Sequence, residues 1–267
     1  MIMKYQRGFS LIELLVVVAI IAILLSFLFP TFSSAKSQAL ATQDLSQLKQ
    51  VVQSAILYAT DDDDRAVPLL TSEQPQHFKT KANEYAWPIL LWPYAKSADV
   101  FVSPVDSKLK PKVEEWRKLA RKESSGGGCR PGIYASWGYN FVCFNRLKEG
   151  AEITEMDAIN TKNLKGMRGI SMSSIKAPSE TILFANSYYK TEKVGYYQIV
   201  PPNFTNFWNN TSNKEFRKSE KCGFLRGWHG GGKICNAGFA DGHVKGLHLS
   251  DFTANNGRIW KNDKQAF

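Results

Sequence analysis

From Phe9 to Phe29 the chain is apolar except for Ser10, Glu13 and Ser26. At about 1.5 Å of rise per residue, a helix of that length covers roughly 30 Å, the thickness of one bilayer core. Such a segment has to be buried in lipid or against other protein. Lys4 and Arg7 precede it and no basic residue follows until Lys36, so the N-terminus is expected to stay cytoplasmic and the rest to cross outward. A secretory signal has a shorter apolar core with a small-residue cleavage site on its far side. Here the Gly8-Phe9 junction lies ahead of the apolar stretch.

Glu13 is the anomaly within that segment. A carboxylate at the centre of a spanning helix costs roughly 2.5 to 3.5 kcal/mol on insertion scales and calls for a partner. One reading is that Glu13, near the cytoplasmic end, snorkels to the interface. The other requires proteolysis. Cleavage after Gly8 would create an α-amino cation at Phe9, and that cation on one subunit could neutralise Glu13 on its neighbour and so set subunit register.

The run Gly8-Phe9-Ser10-Leu11-Ile12-Glu13 resembles the processing site of type IV prepilins and type II secretion pseudopilins. In that resemblance Gly8 is the last leader residue, Phe9 the methylated first mature residue, Glu13 the fifth, and Pro30 falls where those helices kink. It implies cleavage and N-methylation by a prepilin peptidase and packing of the helix into a filament core. The partners it implies are other pilin or pseudopilin subunits, an inner-membrane assembly platform and membrane lipid. No cofactor is implied.

Beyond Pro30, Leu40, Leu45, Leu48, Val52, Ala55, Ile56 and Ala59 form a helical stripe with Lys49, Gln50 and Gln53 off it, so the helix is expected to continue and dock on a sheet. Proline removes a donor and clashes with the preceding turn, which kinks or loosens a helix without necessarily ending it. The expected organisation is a leader over 1–8, a membrane and filament helix over 9–30, its amphipathic continuation over 31–60 and an extracytoplasmic globular domain over 61–267. With 43% hydrophobic and 12% aromatic residues, the last part is too apolar for a disordered tail.

Pro111 to Glu123 reads as a short helix with Val113, Trp116 and Leu119 on one face, and Gly126-Gly127-Gly128 as a loop. Candidate strands are Ile133 to Phe144, Thr181 to Ala185, Gly195 to Val200, Lys233 to Ala240 and His243 to Leu249. Few helices alternate with them, which points to an α+β fold: one long N-terminal helix against an antiparallel sheet. The resemblance implies the same pilin-like arrangement.

Asp241-Gly242 between two apolar runs predicts a hairpin with a two-residue turn. The stretch Gly227 to Val244 resembles the C-terminal signature of prepilin-associated H-x9-DG proteins, with His229, Asp241 and Gly242 as motif residues. Eleven residues, Gly230 to Ala240, separate His229 from Asp241, so a bulge or a longer turn is expected. Tyr58 to Asp61, Val67-Pro68, Trp92-Pro93-Tyr94, Tyr139-Asn140 and Ala177 to Ala185 resemble the same family. Ser103-Pro104 stands where that family often has Cys-Pro, and Asn186 where an acid is common, which weakens any disulfide or metal role carried over to those positions.

Imidazole and carboxylate are common transition-metal ligands, which makes His229, Asp241 and His243 weak metal candidates; without an H-E-x-x-H or C-x-x-C spacing, no metal is expected. Asp61 to Asp64 lack the alternation and turn glycine of a calcium loop and read as a solvated helix end. The four cysteines, Cys129, Cys143, Cys222 and Cys235, lie beyond the span, where disulfides persist, and allow three connectivities. Cys129 with Cys143 and Cys222 with Cys235 close the shortest loops, and buried thiols are the other reading.

The net charge of +10 attracts polyanions. Basic residues gather in Lys108 to Lys122 and Lys214 to Arg226, and Phe204, Phe207 and Trp208 mark an aromatic loop. The sequence therefore reads as a non-enzymatic filament subunit, a pilin or pseudopilin, held in the inner membrane before assembly into a periplasmic or surface filament. The alternative is a DNA-uptake or adhesive minor pilin binding DNA or polysaccharide. A tethered hydrolase would need a nucleophile elbow or zinc motif, and neither is visible.

Overall fold

A computed structural model of the chain describes residues 10–121, 125–126, 130–147, 151, 153, 166–189, 193–199, 224–252 and 259–260. Helix α1 runs without interruption over Leu11–Asp61, through position 30. Two compact units divide inside it, one ending at Thr42 and the other running from Gln43 to Phe267.

In the N-terminal unit the helix is apolar and exposed from Leu11 to Phe29. It is the one described helix long and apolar enough to cross a membrane. In the second unit Leu48, Val51, Val52, Ala55 and Ala59 are buried at the spacing of a helical stripe. This confirms the docking face read from the sequence, except that Leu40, Leu45 and Ile56 are only partly buried.

The fold is α+β. Its main sheet contains β1 (Trp137–Tyr139), β2 (Ile182–Tyr188), β3 (Phe224–Leu225), β4 (Ile234–Phe239) and β5 (Val244–His248). The order is β5-β4-β2-β1 with β3 also on β2, and every pairing is antiparallel. Helix α1 lies close over β4. A Cβ on Gly238 would come within 2.3 Å of Val52 Cγ2, so only glycine allows this approach. Lys49 Nζ donates to the Gly242 carbonyl at 2.5 Å, tying the same helix to the β4–β5 turn.

The hairpin is where the sequence placed it, but its loop is longer. Gly238 pairs with Val244, Phe239 N–H donates to His243 O at 2.9 Å and Gly242 N–H to Phe239 O at 3.0 Å. Ala240, Asp241 and Gly242 therefore form a three-residue loop, a turn followed by a glycine at φ 96°, instead of the expected two-residue turn. Asp241 accepts the His243 N–H at 3.0 Å and its ring nitrogen at 2.6 Å. These bonds hold Asp241 out of the positive-φ region.

Helix α2 spans Trp87–Ala95 and α3 Lys110–Arg121. The latter matches the helix read at Pro111 to Glu123, with Val113 and Trp116 buried. Two expected strands are corrected. Ile133 to Phe144 contributes only Trp137–Tyr139, because Asn140 bonds back to Leu183 and Ile182 and starts a helical turn over Phe141–Phe144. Gly195 to Ile199 makes a single parallel bridge, Gln198 to Tyr139, since Asp106 takes the Gly195 N–H at 2.8 Å and holds that segment outside the ladder. Gly126 lies in a two-residue strand, Ser125–Gly126, beside Lys81–Ala82.

Trp87, Tyr139 and Phe184 form the aromatic centre of the core, with ring centroids 4.6 Å apart for Trp87–Phe184 and 5.3 Å for Tyr139–Phe184. A smaller cluster joins Ile182, Cys235, Phe239, Phe252 and Trp260.

Candidate functional site

Among the described residues, the start of α1 and the neighbourhood of His229 carry features beyond ordinary packing. Gly8, Phe9 and the Pro30 side chain lie outside the described residues. The first described turn is informative. Ser10 N–H donates to Glu13 Oε2 at 2.9 Å, and Glu13 N–H donates to Ser10 Oγ at 3.3 Å. This is a reciprocal capping box, which satisfies two of the amide groups that any helix start leaves open. Glu13 therefore has a local role that the sequence reading missed, although S-x-x-E ahead of an apolar run is its usual signal.

The second place centres on Asp44, an acid on the buried face of α1, one turn before Leu48. It is fully buried. Its Oδ2 receives Asn236 Nδ2 at 2.6 Å, His229 Nε2 at 2.9 Å and Asn186 Nδ2 at 3.3 Å. Asn186 Oδ1 in turn accepts the Asn236 backbone N–H at 2.7 Å. Buried polar groups demand partners, and these four side chains supply one another. Asp44 Oδ1 has none among the described residues.

Asn186 therefore acts here as an amide that links the Asp44 carboxylate to the Asn236 backbone. The sequence offered a signal in the spacing 44, 48, 52, 55, 59, which puts an acid on an otherwise apolar stripe.

His229, Asp241 and His243 do not converge. His229 joins Asp44, while Asp241 pairs with His243 at the hairpin, stacked on Phe239 with ring centroids 4.1 Å apart. Burial pulls the Asp241 carboxyl up, but the His243 N–H and ring outweigh it and leave it below its ordinary range. Between the two groups, Gly230–Gly232 form a turn with φ of 56°, 66° and 87°.

Cys235 is a buried thiol, with Sγ 3.7 Å from Asn186 O. Burial pushes that thiol far up, which removes it as a nucleophile at neutral pH. Cys129 and Cys222 lie outside the described residues, and so do the bridges expected for Cys143 and Cys235.

Asp64 is a structural tie. Its Oδ2 accepts the hydroxyls of Ser171 and Ser173, and the Ser173 N–H at 3.0 Å. The Ser171 bond, then those from Ser173, hold its carboxyl below the usual range. Burial and a hydrogen bond to Asp62 raise Tyr58. Burial, then a hydrogen bond to Asp61, raises Tyr94. At least three of the four acids are thus engaged by neighbours, as a local helix end requires.

Of the two basic clusters, Lys108 to Arg121 is α3 and its approach; Lys214 to Gly223 and the aromatic loop at 203–210 are outside the described residues. Arg226 lies over the rings of Tyr188 and Trp228, at 4.0 and 4.8 Å from their centroids.

Comparison with known proteins bears on the first of these places. Residues 3–29 match a family model described as the prokaryotic N-terminal methylation motif, which supports a type IV pilin or pseudopilin class of precursor. No curated protein and no solved structure matches the chain, and the H-x9-DG resemblance has no matching family model behind it.

Proposed function

We propose that the chain is the precursor of a structural pilin or pseudopilin subunit. It is stored in the inner membrane with its N-terminus cytoplasmic, cut between Gly8 and Phe9, methylated on Phe9, and drawn into a filament through α1. A single observation carries the reading. The methylation motif at 3–29 coincides with a helix that begins at Leu11, caps itself with Ser10 and Glu13, and exposes its apolar side chains from Leu11 to Phe29.

The chemistry follows from that coincidence. In the precursor, Glu13 spends one oxygen on the Ser10 N–H. After cleavage a cationic amine appears one residue upstream, and in lipid a carboxylate and an ammonium gain by meeting. The capping bond leaves Glu13 Oε1 for the amine of a neighbouring copy. A head-to-tail contact repeated in this way generates an open helical assembly. The partners are then a prepilin peptidase, an assembly platform and further subunits.

Mass spectrometry of the native product tests the reading. A mature N-terminus at N-methylated Phe9 supports it. A chain that retains Met1 through Gly8 in cells with an active prepilin peptidase overturns it.

A further inference from the structure

Helices α2 and α3 border an open groove of about 330 Å³ lined by His77, Trp92, Pro93, Lys96, Arg117 and Arg121. The volume is at the small end for ligand sites and suits one planar ring with a charged neighbour. Trp92 is half-buried and Pro93 exposed, so the apolar wall is held in place and still reachable. His77 meets Trp92 edge-on, with centroids 6.3 Å apart at 77°. Its Nε2 lies 2.9 Å from the Ile89 carbonyl. Burial keeps this imidazole below its ordinary range, so it serves as a wall.

The rim is cationic. Arg117 is fixed by Asp99 at 2.6 Å and Glu114 at 2.7 Å, whereas Lys96 and Arg121 have no acidic partner among the described residues. Lys96 also sits at the C-cap of α2 with φ 61°. Glycine is the ordinary residue at such a left-handed cap, and a lysine there carries a steric penalty. Helix α3 continues the positive track, with Lys110, Lys112, Arg117, Lys118 and Arg121 against Glu114 and Glu115.

The lining decides which polyanion fits. It offers the half-buried indole of Trp92 and cationic donors, with no carboxylate or amide side chain to accept from a sugar hydroxyl. A base needs only the ring face and a phosphodiester only the donors, as in sequence-tolerant single-strand binding. We propose that this groove binds single-stranded nucleic acid, with one base stacked on Trp92 and the flanking phosphates on Lys96 and Arg121.

The test uses the full chain in detergent micelles and an oligothymidylate of about 12 nucleotides, within the span of known single-strand sites. Fluorescence anisotropy should show binding that weakens steadily as salt rises from about 0.05 to 0.2 M. Trp92→Ala should weaken it about tenfold. Lys96→Gly should weaken it several-fold while the thermal midpoint stays or rises, since glycine relieves the left-handed cap. This variant separates lost binding from lost folding. Absence of binding at low salt overturns the proposal. So does binding that Lys96→Gly leaves unchanged, or a polyuronate that competes more tightly than the oligonucleotide with the same dependence on Trp92, which would make the groove a polysaccharide site.

Discussion

The two ends of α1 obey opposite rules. Leu11 and Phe27 are 79% and 74% exposed, while Leu48 and Val52 are at 0%. The first stretch is apolar on every side and exposed; the second is apolar on one face and buries it. The first also caps itself with its only acid, whereas the second places an acid in its core and feeds it from three other segments. One continuous helix is therefore solvated in two ways, and sequence pattern alone separates them. All-round apolarity marks a surface meant for lipid or other subunits, a stripe one meant for the chain's own sheet.

The largest break in this comparison comes from the outward half. Replacing Gly8 with Val should abolish the mature form, leaving only precursor on a gel; normal processing would remove the leader assignment. Glu13 separates its two roles next. Glu13→Gln keeps a capping acceptor but loses the charge, and Glu13→Ala loses both. If the neighbour's amine is the partner, both variants are cleaved and neither enters filaments. Should Glu13→Gln assemble like the parent, capping alone is the function of this residue.

The inward half responds through stability. Asp44→Ala strands the donors of His229, Asn186 and Asn236 in the core and should cost about 3 kcal/mol, read from denaturant unfolding of the chain in micelles. Gly238→Ala drives a methyl into Val52 and should cost about 2 kcal/mol. An unchanged midpoint would mean that α1 does not rest on β4 there.

The smallest effect is acid-dependent. Asp64 is held below its ordinary value of 3.8 by Ser171 and Ser173. Its contribution is therefore complete above that value and lost as pH falls through the lower folded one. Asp64→Asn should lower stability near neutrality and leave less of it to lose on acidification, measured by unfolding at a series of pH values.

Much of this was legible in the residues. Periodicity gave α1 and α3, and Asp241-Gly242 gave the hairpin, because both signals are local. The Asp44 cluster was not legible. Its partners lie 142, 185 and 192 residues away, and one acid on a stripe does not reveal which donors will meet it. The strand expected across Ile133 to Phe144 failed for a similar reason: its β-branched and aromatic content is real, but Asn140 finds a distant backbone that ends the ladder. The loop at Asp241 was a closer miss, decided by the bonds that its carboxylate takes from the backbone and ring of His243.

The bare hydrocarbon surface between Leu11 and Phe29 also bears on thermodynamics. A chain wearing it has a vanishing concentration as a free monomer in water, so in the filament proposed above no copy would join by diffusing to its end through the aqueous phase. Each would have to pass from one oily environment directly into another, and growth would be governed by a partition coefficient between bilayer and polymer. Added detergent would act on that equilibrium as a competing solvent, drawing subunits off without touching a single bond in the globular unit.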